Sequence, residues 1–202
     1  MVTNSNRPQQ AATAGRLALM ALGGISLLAG LWGGLLRLSL AVPAPQADWI
    51  SLHGPLMVCG FLGTLIGLER AVGLGRRWTY GGPVATALGG GLMIAGVKGL
   101  FAPCLMIVGS LSLCAVFAYV LFQQPSTFAA TLGLGALSWL AGNILWARGW
   151  EIPDVVFWWG AFLVLTIAGE RLELSRLLPM TRVWRAAFFV PVALMLLGLL
   201  LM

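Results

Sequence analysis

His53 is the one histidine in a chain of 202 residues, and it falls inside the apolar run Trp49–Leu68. A polar ring in such surroundings is costly unless something binds it. Neutral imidazole is well suited to haem iron or copper, so metal ligation and a helix–helix contact are the two roles open to it. Met57, one helical turn on, is either a second soft ligand or a packing residue. Ligands one turn apart on a single helix cannot take opposite faces of one haem, which limits Met57 to a haem contact or a copper ligand. Two Glu-Arg pairs follow, Glu69-Arg70 and Glu170-Arg171. Each reads either as a solvated ion-pair belt at a helix end or as a proton entry point or lock between helices. Asn143 is the other polar group within an apolar run, and interhelical hydrogen bonding is its default role. Cys59, Cys104 and Cys114 lack C-x-x-C spacing and read as core thiols.

The elements that must position these groups follow from composition. The sequence is 59% hydrophobic and 9% charged, with a mean hydropathy of +0.94. Soluble domains carry roughly a quarter charged residues, so the expected fold is an all-α, polytopic transmembrane helix bundle. The net charge of +6 is too dispersed to track a phosphate backbone, which excludes nucleic acid. Seven spans are predicted: Leu17–Val42, Trp49–Leu68, Tyr80–Leu100, Pro103–Phe122, Thr127–Ala147, Val155–Gly169 and Val183–Met202. Residues 1–16 read as a polar cytoplasmic tail and 17–202 as one helical domain. With the N-terminus inside, Arg7, Arg16, Arg70, Arg76, Arg77, Arg171, Arg176, Arg182 and Arg185 lie on the cytoplasmic side, against Arg37, Lys98 and Arg148 outside. That asymmetry obeys the positive-inside rule. Trp146, Trp150, Trp158 and Trp159, around the 148–154 loop, read as an interfacial aromatic belt.

On a helical wheel, Trp49, Met57, Gly60, Thr64 and Gly67 fall within about 40° of His53. Small residues admit a neighbouring backbone, so this stripe is expected to face other helices. Pro55 frees a carbonyl near Ser51 and is expected to bend the helix or open a polar niche. An internal echo places Ala161–Arg171 over Gly60–Arg70 at a shift of 101 residues, matching Phe, Leu, Ile, Glu and Arg. It suggests a parallel four-helix repeat that begins again near residue 127 and lacks its eighth helix.

His53-Gly54-Pro55-Leu56-Met57 resembles the His-Gly-x-x-Met segment of haem–copper oxidase subunit I, where the histidine ligates a low-spin haem near the outer side of the membrane. Together with Gly60–Ala71 and Thr166–Leu174, the chain resembles the N-terminal half of NnrS-like membrane proteins, which are associated with haem, copper and nitric oxide metabolism. The resemblance implies His53 as a haem ligand in a bacterial inner membrane protein. One histidine cannot furnish an oxidase core, so the second axial ligand would come from a missing C-terminal half, another protomer or a methionine. The expectation is therefore a haem-associated protein, or a portion of a longer one, in contact with the lipid bilayer and with itself or another membrane subunit. The alternative is a non-enzymatic helix bundle: a transporter half, a channel subunit or an assembly partner. Retinal-type chemistry is excluded, because the one lysine, Lys98, lies in the third span rather than the last.

Overall fold

A computed structural model describes residues 7–43 and 49–174 together with a few positions between 190 and 198, with side chains from residue 10 onward. Among these residues the chain is helical with short connections. Helix α1 spans Arg7–Arg37, α2 Trp49–Leu74, α3 Gly81–Ile94, α4 Phe101–Gln123, α5 Thr127–Ala147 and α6 Ile152–Leu174. All except α3 are long and apolar enough to cross a membrane. The predicted third span is realised as α3, a helix of 14 residues preceded directly by a 3₁₀ turn at Arg77–Tyr80. Most of the predicted seventh span, Val183–Met202, lies outside the described residues, as do Arg176, Arg182 and Arg185.

Helix boundaries follow local chemistry. α1 starts within the predicted polar tail, because Pro8 suits a first helical turn and Gln9–Ala12 are good helix formers. It stops at Arg37, short of Val42: Ser39 turns into the left-handed region at φ 59°, and the Leu40 amide donates back to Leu35 at 3.2 Å. The same closure ends α3 at Gly96 (φ 73°) and α5 at Gly149 (φ 90°). In α2 an α-helical first segment passes at Pro55 into wide π-type turns over Leu56–Gly63, then returns to α-helix from Thr64. Proline has no amide hydrogen and crowds the carbonyl one turn back, which disrupts the regular ladder here.

Two compact units divide the chain, Met1–Ser112 and Leu113–Met202. In the first, α1, α2 and α3 pack on one another through small and hydroxylic residues. Ser26 of α1 lies against Gly60 of α2 and Gly90 of α3. Thr64 and Thr86, both fully buried, share a hydrogen bond of 2.9 Å between α2 and α3, and Thr64 also donates to the Gly60 carbonyl at 2.7 Å. Gly109, in the first half of α4, seats the Thr86 methyl group. Leu19, Leu56, Leu68 and Met106 are buried as well, while Leu28, Leu31, Leu88 and Val108 are exposed. Because Thr86 keeps the Gly82 and Pro83 carbonyls as partners, Thr64→Val is expected to cost only about 0.6 kcal/mol. Unfolding in detergent measures this; a loss beyond about 2 kcal/mol would mean the hydroxyl does more than join two helices.

In the second unit α5 and α6 form an antiparallel hairpin. Trp139 stacks on Phe162 with centroids 4.8 Å apart, and Trp146 meets Trp159 edge-on at 5.7 Å. Trp159 is fully buried, so it belongs to the core and not to an interfacial belt; Trp150 is exposed.

The α1–α2 and α5–α6 hairpins share a packing register. Leu22-Gly23-x-x-Ser26-x-Leu28-Ala29-Gly30 in α1 returns as Leu134-Gly135-x-x-Ser138-x-Leu140-Ala141-Gly142 in α5. Gly23 faces Phe61 and Thr64 of α2, whereas Gly135 faces Phe162 and Leu165 of α6. Gly30 faces Met57, whereas Gly142 faces Trp158 and Trp159. The partner positions in α2 and α6 differ by the shift of 101 residues that aligns the Glu-Arg pairs.

Candidate functional site

The seat of His53 is built by three glycines of α1. A Cβ on Gly33 would lie 2.6 Å from the Trp49 carbonyl oxygen, and one on Gly34 would lie 3.0 Å from Nδ1 and Cε1 of the His53 ring. A Cβ on Gly30 would lie 2.9 Å from Cγ of Met57 and 3.0 Å from its Sδ. The Trp49–His53–Met57 stripe therefore runs along a glycine track where the two backbones approach closely. Gly60, Thr64 and Gly67 continue it onto α1 and α3, with Gly67 against Pro83.

Nδ1 of His53 lies 2.7 Å from the Gly30 carbonyl oxygen. A carbonyl only accepts, so Nδ1 carries a proton, and in the neutral imidazole the lone pair is then on Nε2. This is the orientation found in metal-ligating histidines, whose second ring nitrogen donates to a backbone carbonyl or carboxylate. The ring is half-buried, beside the π-type turns of α2. Such turns are often found at functional sites. Met57, by contrast, uses its thioether to fill the space over Gly30.

The donor set is limited. Among the described residues, no group of three or more His, Cys, Asp or Glu side chains could hold a metal ion. One oriented imidazole is a donor that would suit haem iron. Cys59 is buried in α2, Cys114 is half-buried, and Cys104 is exposed on the apolar surface of α4 rather than in the core.

The remaining polar groups divide between the two units. Asn143 is fully buried, and its Oδ1 accepts a hydrogen bond from Trp159 Nε1 at 3.0 Å, joining α5 to α6. Thr166 is buried on the same helix as Trp159, while Glu170 is half-buried and Arg171 exposed. Arg70 and Glu69 approach to 3.6 Å, with the arginine side chain 18% exposed and the glutamate 59%. Adjacent residues at that spacing form a local surface pair, whose contribution to stability is small.

Sequence reasoning missed the glycine seat. Its signal is Gly30-x-x-Gly33-Gly34, three small residues within one turn, which pattern analysis does not connect to a histidine on another helix. The second hairpin sharpens its meaning. By the register that pairs the two hairpins, His53 corresponds to Asp154 and Gly34 to Trp146. The hairpin thus packs without an imidazole, and the His53–Gly34 pair is an addition to it.

No curated protein and no solved structure matches the chain. Residues 16–202 match the family model described as Domain of unknown function (DUF8744), and the chain belongs to that family.

Proposed function

We propose that this is a polytopic membrane protein that binds haem through His53, an activity akin to that of the NnrS-like proteins its motifs resemble. Support for membrane insertion comes from its surface: leucine, isoleucine and valine are exposed along five long apolar helices, and glycine, serine and threonine stand at several of the helix contacts. A seven-span arrangement with a cytoplasmic N-terminus is supported by the bias of basic residues to one side. The short α3 is compatible with it: with its 3₁₀ turn, Arg77–Ile94 extends about 29 Å, close to the hydrocarbon thickness of ~30 Å.

The observation that carries the haem reading is the 2.7 Å bond from Nδ1–H to the Gly30 carbonyl, which leaves Nε2 as the nitrogen that would ligate iron. A haem held there would supply electron transfer or nitric oxide binding, with His53 as the residue that would hold it and the Gly30 carbonyl orienting the ring. A purified preparation from haem-replete cells is expected to carry a Soret band that His53→Ala removes and Met57→Ala retains. A colourless, folded protein would sink the proposal.

A non-enzymatic bundle subunit is the second reading, favoured by the same Nδ1–Gly30 bond read as a helix clamp. It predicts no haem and a destabilised α1–α2 pair in His53→Ala.

A further inference from the structure

At the opposite end of α1 from His53, α1, the 3₁₀ turn and the start of α3 enclose an open cleft of about 580 Å³. Its walls are mainly apolar, with Leu19 and Val84 among them, and its polar groups are Arg16, Arg77 and Tyr80. Arg16 Nε donates to the Tyr80 hydroxyl at 3.0 Å, and the guanidinium carbon lies 6.0 Å from the centre of the tyrosine ring. This fixes the Arg16 side chain and leaves its terminal nitrogens as donors. Arg77 is exposed at the rim. None of the described residues lining the cleft carries a carboxylate.

Depth identifies the kind of ligand. Between Arg16 and Arg37, α1 runs through Leu17–Leu36 without a charge. Twenty helical residues rise about 30 Å, the thickness of a hydrocarbon core. Arg16 therefore marks one headgroup plane, with Leu19 and Val84 on its hydrocarbon side. Two guanidiniums at that level, above an apolar wall, complement a phosphate ester attached to an acyl chain.

We infer that this cleft binds an anionic phospholipid, its phosphate held by Arg16 and Arg77 and its acyl chain lying along Leu19 and Val84. The site goes beyond the haem reading and stands or falls separately from it. The test is native mass spectrometry of the delipidated chain titrated with phosphatidylglycerol or phosphatidylcholine. The expected result is preferential retention of phosphatidylglycerol. Arg77→Ala should weaken that retention about fivefold, and Arg77→Lys should largely keep it. Arg76→Ala, next in sequence but outside the cleft, controls for bulk charge and should change retention less. Val84→Trp, which fills the apolar half without altering charge, should weaken it too. Equal retention of both lipids, or equal losses in Arg76→Ala and Arg77→Ala, overturns the site while leaving membrane insertion intact. Displacement of the lipid by millimolar inorganic phosphate overturns the lipid assignment in favour of a soluble phosphate compound.

Discussion

Gly33→Ala is expected to destabilise the protein by about 1–3 kcal/mol, the range for forcing extra volume into a packed contact. The added methyl would sit 2.6 Å from the Trp49 carbonyl oxygen and 3.5 Å from the His53 amide nitrogen. Both neighbours are backbone and cannot rotate aside, so α1 and α2 must separate. Gly24→Ala on the same helix is the control: nothing lies within 4 Å of its added Cβ. There, the lower backbone entropy of alanine is expected to stabilise by about 0.5–1 kcal/mol. Two identical substitutions on one helix should thus shift thermal unfolding in detergent in opposite directions. Separation also draws Gly30 away from Nδ1, so if His53 ligates haem, Gly33→Ala should reduce haem retention, while Gly24→Ala should not. Shifts of the same sign would refute the close-packed glycine track.

The second large effect is expected at the α5–α6 contact. Trp159 Nε1–H is buried with Asn143 Oδ1 as its acceptor. Asn143→Leu leaves that donor without this acceptor, and a buried unpaired donor costs about 1–3 kcal/mol. Asn143 has a further interaction, so the single variant overstates the bond. A double-mutant cycle with Trp159→Phe isolates it. Couplings of this kind within membrane proteins average about 0.6 kcal/mol and reach about 1.7. Both ends here are wholly buried, so a coupling in the upper half of that range is expected. Gly142 sets the geometry: a Cβ there would lie 2.9 Å from the indole nitrogen. A coupling indistinguishable from zero would mean that aromatic packing alone holds this hairpin.

Much of this architecture is legible in the sequence because apolar length and charge asymmetry are direct readouts of helices and their ends. The stripe bearing His53 could be drawn on a wheel, and Asn143 could be read as an interhelical group, since each is a lone polar residue in an apolar run. The seat opposite His53 could not. Gly30, Gly33 and Gly34 matter through the absence of side chains, and hydropathy does not indicate which helix faces them. The π-type stretch was hidden for a related reason: Pro55 announces a disturbance, but not whether the helix kinks or widens. Trp159 was misread because tryptophan near a loop suggests an interface, whereas Asn143 and Gly142 give its indole an interior partner and the room to reach it. The short α3 escaped notice because Lys98 reads as the charged outer end of a longer span, although Gly96 and Gly99 turn the chain at φ 73° and 95°.

His53 is central, and His53→Gly with added imidazole tests it most directly. A free imidazole in the vacated space can restore an axial nitrogen but cannot restore the covalent link between α2 and its ring. If His53 ligates haem, the purified variant loses its Soret band and regains it on adding imidazole, without a matching gain in thermal stability. A Soret band that survives in His53→Gly, or one absent from the folded parent protein prepared with ample haem, would contradict ligation and leave His53 as a clamp between helices.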